Sequence, residues 1–439
     1  MDVASVWEPR TLFLRATHGT ATPPHNFVSG WEKPPSMSSG GALMQLAAVG
    51  AQDEALHSCA GVTFWRQRYS RHTSFALEAI KQTFSGNTSF GSTASVTLAR
   101  NGDLVSGLVL EITLKRGGTG TPFYPAEHLL RRVDLEIGGQ RVDQLSGTWL
   151  RLYDELYRNV DAREGYRRCA HFADGEPVGT VKTFYVSLPF WFAARDPAAA
   201  LPLVALQYHD VTLTFEFESS VPGVDPSFQP HVALWADYVY LDAPERVWFV
   251  RNELQYLIEQ TQRVSQSVVV GPARRQHVVD LPFNHPCKYL AWVLRPGEQS
   301  HAFTASGVGL ESREVYGPVA EAAVLLNGTE RFRPRRGSYF RSQHPLTAFG
   351  QIPSVGVYVY SFALRPAAPQ PSGSLNMSRL DSVQLRLSTK AATLASDASP
   401  ADDDTTVLAS SSLRVLDVFA RNFNVLTIAD GMGGLKYTS

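Results

Sequence analysis

Cys169 and His171 stand two residues apart in RRCAHF, half of a zinc site, since a thiolate and an imidazole so placed can share one cation. No second pair accompanies them. The chain has 12 histidines but no His-x-His, and its other cysteines, Cys59 and Cys287, are distant in sequence. A packed thiol beside a polar loop residue is the favoured reading. Asp402, Asp403 and Asp404 offer oxygens to a divalent ion, yet within SDASPADDDTT (396–406) they read first as a solvated loop tip. GMGGLKY (431–437) has the glycines of a phosphate cradle, but nothing after it can form the helix such a cradle opens. It reads instead as a chain terminus whose backbone packs closely. There is no Gly-Lys pair, hence no nucleotide phosphate loop, and neither HExxH nor GxSxG occurs. Scattered carboxylates leave a glycosidase pair open, because such pairs meet in space rather than in sequence. No catalytic, cofactor or metal residue is assigned. The triplets at Asn87, Asn327 and Asn376 have the Asn-x-Ser/Thr form and are the candidate glycosylation acceptors.

The elements that would carry such residues are strands. Leu108, Leu110, Ile112 and Leu114 alternate with Val109, Glu111 and Thr113, the period of a half-buried strand. Val133, Leu135 and Ile137 alternate likewise, and Gly138-Gly139 supplies the positive φ of a tight hairpin. Val211, Leu213, Phe215 and Phe217 line a third such face. One short helix is expected at 147–159, with Trp149, Leu152, Tyr153 and Leu156 on one stripe. HVALWADYVYLD (231–242) closes a first domain, and Ala243-Pro244-Glu245-Arg246 reads as a linker because Pro cannot continue a central ladder. Strands then resume in FVRNELQYLIEQTQ, HVVDLPFNHPCKYLAWVL, VYVYSFAL, SVQLRLS and LRVLDVFARNFNVLTI.

This order repeats itself. YVSLPFWF (185–192) followed by ALPLVALQYHDVTLTFEF (200–217) has the same plan as YVYSFALRP (358–366) followed by QPSGSLNMSRLDSVQLRLS (370–388). The interval from Tyr185 to Val211 differs by one residue from that between Tyr358 and Val383. Upstream of each lies a strand with a Gly turn, RRVDLEIGGQRVD (131–143) and AAVLLNGTERF (322–332). Many short strands with Gly and Pro turns imply an all-β chain of two tandem eight-stranded antiparallel jelly-roll sandwiches, a double jelly roll. The expected bounds are an N-terminal extension at 1–36, disordered or extraneous, an arm at 37–62 starting at Met37, a first roll at 63–242 and a second at 243–439.

At 439 residues the chain has room for two to three cores. Its net charge of −1 argues against direct nucleic-acid packaging, which needs clustered cations. Arg331, Arg333, Arg335 and Arg336 are the densest basic group and read as a solvated or subunit-contact loop. The 3 widely spaced cysteines cannot form a disulfide framework, which suits a reducing compartment. The longest helix-like apolar run, ALMQLAAVGA (42–51), falls short of the ~20 residues of a membrane span. No cationic segment followed by an apolar core marks a secretory signal at the start.

GGALMQLAAVGAQDEAL and TFWRQRYSRHTSFALEAI (63–80) resemble the opening of the major capsid proteins of nucleocytoplasmic large DNA viruses, the phycodnavirus and iridovirus group. The likeness continues through FYPAEHLLRRVDLEIGGQRVD, ALPLVALQYHDVTLTFEF, FNHPCKYLAWVL, LNGTERF, QPSGSLNMSRLDSVQLRL and NVLTIADGMGGLKY, in order, over 40–439. Residues 1–36 have no counterpart in it, and the segment between Arg295 and Leu325 is shorter than is common for the family's outward loops.

The resemblance implies a structural protein rather than an enzyme, without cofactor. It implies a homotrimer that presents six rolls as a near-hexagonal capsomer of an icosahedral shell. Expected partners are neighbouring capsomers, minor capsid proteins, a penton protein and, through minor proteins, an internal membrane, but no nucleic acid. The expected location is the virion, after synthesis and assembly in the host cytoplasm. Family glycosylation often avoids the standard triplet, which weakens the three asparagines as acceptors. Trp191, Phe192, Trp248 and Phe249 are candidate contributors to the subunit contact, with burial in a domain core as the competing assignment for each. The alternatives are a carbohydrate-binding or carbohydrate-cleaving tandem β-sandwich protein, and a minor capsid paralogue of the same fold.

Overall fold

The computed structural model describes residues 40–57, 63–67, 69–118, 124–173, 176–193, 196–270, 274–295, 318–353, 356–389, 391–393, 405–407 and 412–438. The expectations for 1–36, Cys59 and Asp402–Asp404, and for most of the segment after Arg295, therefore lie outside the described residues. The chain divides into two compact units, Met1–Arg71 and His72–Ser439. In the first, helix α1 (Gly40–Ala47) is followed by a single 3-10 turn, and its apolar side chains, Met44 and Trp65 among them, are exposed.

Among its described residues the second unit has sixteen principal strands in two runs of eight. The first run is β1 (Phe75–Gln82), β2 (Thr93–Thr97), β3 (Leu104–Lys115), β4 (Leu130–Ile137), β5 (Gln140–Leu145), β6 (Val181–Ser187), β7 (Val211–Phe217) and β8 (His231–Leu241). The second is β9 (Leu254–Val270), β10 (Gln276–Asp280), β11 (Pro286–Arg295), β12 (Val319–Leu326), β13 (Thr329–Glu330), β14 (Val357–Ser361), β15 (Val383–Thr389) and β16 (Ser412–Ala429). The first run forms sheets ordered β1-β8-β3-β6 and β2-β7-β4-β5; the second forms β9-β16-β11-β14 and β10-β15-β12-β13. Adding eight to each label of the first roll reproduces the second. Both are antiparallel four-by-four jelly rolls, so the repeat read from the sequence is a repeat of topology.

The register corrects one detail. Val109 faces Ser187 and Ala291 faces Val359, which sets Tyr185 opposite Val357, not Tyr358, in the repeat and makes the two intervals to Val211 and Val383 equal. Apolar alternation decides which way each strand faces. Leu108, Leu110, Ile112 and Leu114 are buried, while Val109, Glu111 and Thr113 between them are half-buried. The β4–β5 turn places Gly138 and Gly139 at φ 57 and 79, and the β12–β13 turn places Asn327 and Gly328 at φ 48 and 77. Both match the two positive-φ positions of a type I′ hairpin.

Helix is more plentiful than the sequence implied. The expected helix ends earlier, as α3 (Gly147–Tyr157), where Ser146 caps it by accepting from the Trp149 amide at 3.3 Å. It follows α2 (Pro125–Leu129) and precedes α4 (Val160–Ala170). The presumed linker is instead the start of α5 (Ala243–Arg251): Asp242 caps it and Pro244 sits in its first turn, where a missing N–H costs nothing. α6 (His344–Phe349) lies in the second roll. FVRNELQYLIEQTQ is thus helical at its start, and HVVDLPFNHPCKYLAWVL is two strands rather than one, parted by a turn with His285 at φ 66.

Candidate assembly surfaces

The residues that invite chemistry do not converge. Cys169 is exposed on α4, whereas His171 is buried with its ring Nδ1 at the Phe172 carbonyl. Among the described residues no group of three His, Cys, Asp or Glu side chains can hold a metal. Glu127, Asp154 and Glu155 do cluster, and burial pushes Glu127 up to about 7 and Asp154 up to about 6. Such shifts often mark active sites. Here, however, Arg151 faces both Asp154 and Glu155, and Tyr166 donates its hydroxyl to Glu127 at 2.7 Å. All three carboxylates are buried. A glycosidase pair must be reachable by sugar and water, and this cluster instead ties α2, α3 and α4 together. The candidate acceptors are all exposed: Asn87 in the loop before β2, Asn327 in the hairpin turn and Asn376 at a 3-10 turn. Asn327 Oδ1 accepts from the Ser382 amide at 3.0 Å, and Asn376 Oδ1 from that of Ser378 at 3.1 Å.

The informative surface is the seam between the rolls. The outer face of the β9-β16-β11-β14 sheet is covered by β5 and α3 of the first roll, so Ile258, Tyr289, Ala291, Val359 and Phe419 belong to the same apolar core as Trp149 and Leu145. Trp149 packs on Phe419 with ring centroids 5.5 Å apart, and the Tyr157 and Tyr289 hydroxyls meet at 3.0 Å. A polar group sits inside this apolar contact. Arg421 donates to Glu259 at 3.1 Å and to Thr261 Oγ1 at 2.7 Å, and it faces Asp143 Oδ2 at 3.8 Å. Asp143 Oδ1 accepts the Thr261 amide at 2.9 Å. The Arg421 and Asp143 side chains are only 2% and 0% exposed. Burial pushes Asp143 up to about 6 even though Arg421 draws it down. These residues lie outside the motifs that the sequence offers for chemistry. Their signal was RNFN inside an otherwise apolar strand, because polar groups in a strand covered on both faces must find partners.

The glycine-rich terminus closes the seam. A strand at Met432–Leu435 pairs with the end of β16, and the Leu435 amide donates to Gln140 Oε1 of the first roll at 3.0 Å. A Cβ at Gly433 would lie 2.7 Å from Leu206 Cδ2, and one at Gly431 2.7 Å from the Tyr208 ring. The close backbone packing expected of GMGGLKY is what the structure contains.

Other faces remain open. Trp191 and Phe192 are core residues of the first roll and are not available to a partner, which removes two of the four aromatic candidates; Trp248 is 52% exposed. On the outer face of the β1-β8-β3-β6 sheet, Leu77 is 65% exposed, with Phe75 and Tyr185 also uncovered. The equivalent face of the second roll is the covered one. In the second roll the exposed Arg331, Arg333, Arg335 and Arg336 are joined by Arg274, Arg275 and Arg386, several of which line a cavity of about 330 Å³.

Two jelly rolls of one winding, fused through a covered sheet face, define a double jelly-roll protein. Residues 63–242 match the family described as major capsid protein N-terminus, and 245–434 match that described as large eukaryotic DNA virus major capsid protein. The chain belongs to this family of large DNA virus major capsid proteins, whose role is structural and whose place is the virion shell. It is 41% identical to the major capsid protein of Paramecium bursaria Chlorella virus 1 over 91% of this chain and 100% of that one. Its identity to the major capsid protein of Pyramimonas orientalis virus is 36%, again over 91% and 100%. A solved chain of the PBCV-1 virus capsid superposes with a TM-score of 0.81 at 39% identity, covering 86% of this chain and 100% of that one.

Proposed function

We propose that this chain forms homotrimeric, pseudo-hexagonal capsomers that tile the outer shell of a large icosahedral DNA virus, and that it catalyses nothing. The observation that carries this is the seam: the edge of one roll packs on the sheet face of the next, a head-to-tail contact between unlike surfaces. Repeated with a rotation that closes, such a contact forms a ring. With two rolls per chain, three chains supply six similar modules, 63–242 and 243–439 being the pair. Neighbouring capsomers, minor capsid proteins and a penton protein are the proposed partners, with any internal membrane reached through minor proteins. Nucleic acid is not a partner, in keeping with the net charge of −1. The proposed site of synthesis and assembly is the host cytoplasm. If the capsomer carries glycans at standard triplets, exposed Asn87 is the favoured acceptor of the three. Electron-microscopic class averages of the purified protein test the reading: it requires six-lobed particles of threefold symmetry, and two-lobed particles alone would refute it.

A further inference from the structure

The two rolls carry matching landmarks that set up a residue-by-residue equivalence. In the first, Asp237 pairs with Gly107, and a bulge then carries Tyr238 to Val105. In the second, Arg421 pairs with Tyr289, and the same bulge carries Asn422 to Cys287. Asp237 is thus the counterpart of Arg421, and Trp235 that of Phe419. A second landmark follows β5 and β13. A Cβ on Gly147 would meet the carbonyls of Glu127 and of Leu130, which opens β4, and one on Gly337 would meet that of Val319, which opens β12. Counting from these glycines, Tyr339 takes the place of Trp149 and Arg333 that of Asp143, two residues beyond Arg331, where the ladder from the hairpin ends with the Arg331 amide on the Val324 carbonyl.

Within the chain, Trp149 meets Phe419 and Asp143 meets Arg421. We propose that a second copy of the chain makes the equivalent contact, laying its 331–339 segment on the outer face of the β1-β8-β3-β6 sheet, with Arg333 against Asp237 and Tyr339 against Trp235. This rests on the trimer reading and names the faces that close the ring. The half-buried Asp237 has no ion pair among the described residues, and burial alone raises its carboxyl. The exposed Arg333 likewise has no ion pair among the described residues. Leu77 stands two positions along the neighbouring strand from the residue paired with Asp237, and the uncovered Phe75 and Tyr185 lie farther out on the same face, whose equivalent is covered in the second roll.

The charges are inverted between the two contacts. Inside the chain the acid is on the edge and the cation on the face; between chains the cation is on the edge and the acid on the face. An edge of the first roll meeting a face of the first roll would oppose Asp143 to Asp237, and the second-roll equivalent would oppose Arg333 to Arg421. Both wrong contacts are repulsive, so the inversion reinforces the alternation of rolls that the covered seam already imposes on the ring.

Arg333→Asp, Asp237→Arg and the double exchange in one chain test this by native mass spectrometry across a dilution series. Circular dichroism and the melting temperature check that each variant folds. Each single reversal should weaken the trimer on the order of 100-fold, and the double exchange should restore it, because like charges at a contact are costly and opposite ones are regained. Arg333 is exposed, so its variant reports on association without disturbing a core. Single variants as trimeric as wild type, or a double no better than the weaker single, would overturn the assignment. Those results leave the trimer reading standing; a wild-type chain that is itself monomeric removes both.

Discussion

Replacing Arg421 with Met should cost about 3–5 kcal/mol at pH 8, because it leaves the Asp143 carboxylate buried and uncompensated. The geometry sets the size of the effect. Asp143 is fully buried, its Oδ2 faces Arg421 at 3.8 Å, and its remaining support is the Thr261 and Gln144 amides on Oδ1. Glu259, the other carboxylate at Arg421, keeps Lys288 and is not stranded. The penalty should depend on pH in a defined direction. Burial already raises Asp143 from 3.8 to about 6 while Arg421 lowers it, so losing the arginine raises it further. A carboxyl whose folded pKa lies above its unfolded one favours the folded state at low pH, and that advantage is lost as pH rises through the folded value. The penalty should therefore shrink by about 1.4 kcal/mol for each pH unit between the variant's carboxyl pKa and the wild-type value of about 6, below which both proteins gain alike. Urea unfolding followed by tryptophan fluorescence at pH 8 and pH 5 measures both quantities. Adding Asp143→Asn should recover most of the loss at pH 8. A penalty below ~1 kcal/mol at pH 8, or one of equal size at pH 5, would show that the seam does not depend on this pair.

Gly433→Ala should destabilise by roughly 1–3 kcal/mol through overpacking, since its Cβ would press on Leu206 and Ile137, whereas Gly434→Ala, whose Cβ would make only an ordinary 3.5 Å contact with Gln140 Oε1, should be near neutral; thermal melts compare them. Glu127 is raised from 4.5 to about 7, so its contribution is full below about 4.5 and is lost as pH rises through about 7. Glu127→Gln should flatten the stability profile in that window, and an unchanged slope in urea midpoints would contradict the assignment. Iodoacetamide with peptide mapping should label exposed Cys169 in the native protein and reach Cys287 only after unfolding, because Cys287 is buried and burial pushes its thiol pKa up.

The strand order was legible because period-two alternation and Gly turns mark half-buried hairpins, and because the module is written twice. The helices were less so. Ala243-Pro244 reads as a chain break in a β context, yet an Asp cap and a proline in the first turn start a helix equally well. Trp191 and Phe192 sit in a loop by pattern and in the core by packing, which local sequence does not reveal. The seam was hidden for another reason. Asp143 and Arg421 are far apart in the chain, and only the packing of one roll on the other brings them together. The charge inversion between Arg421 and Asp237 needed the ladder bulges to align the rolls.

The solution mass of the purified chain, from size-exclusion chromatography with light scattering, tests the central claim most directly. A closed ring of three 48.3 kDa chains gives a stable species of about 145 kDa that persists on dilution. A species of one chain mass at every concentration would contradict it.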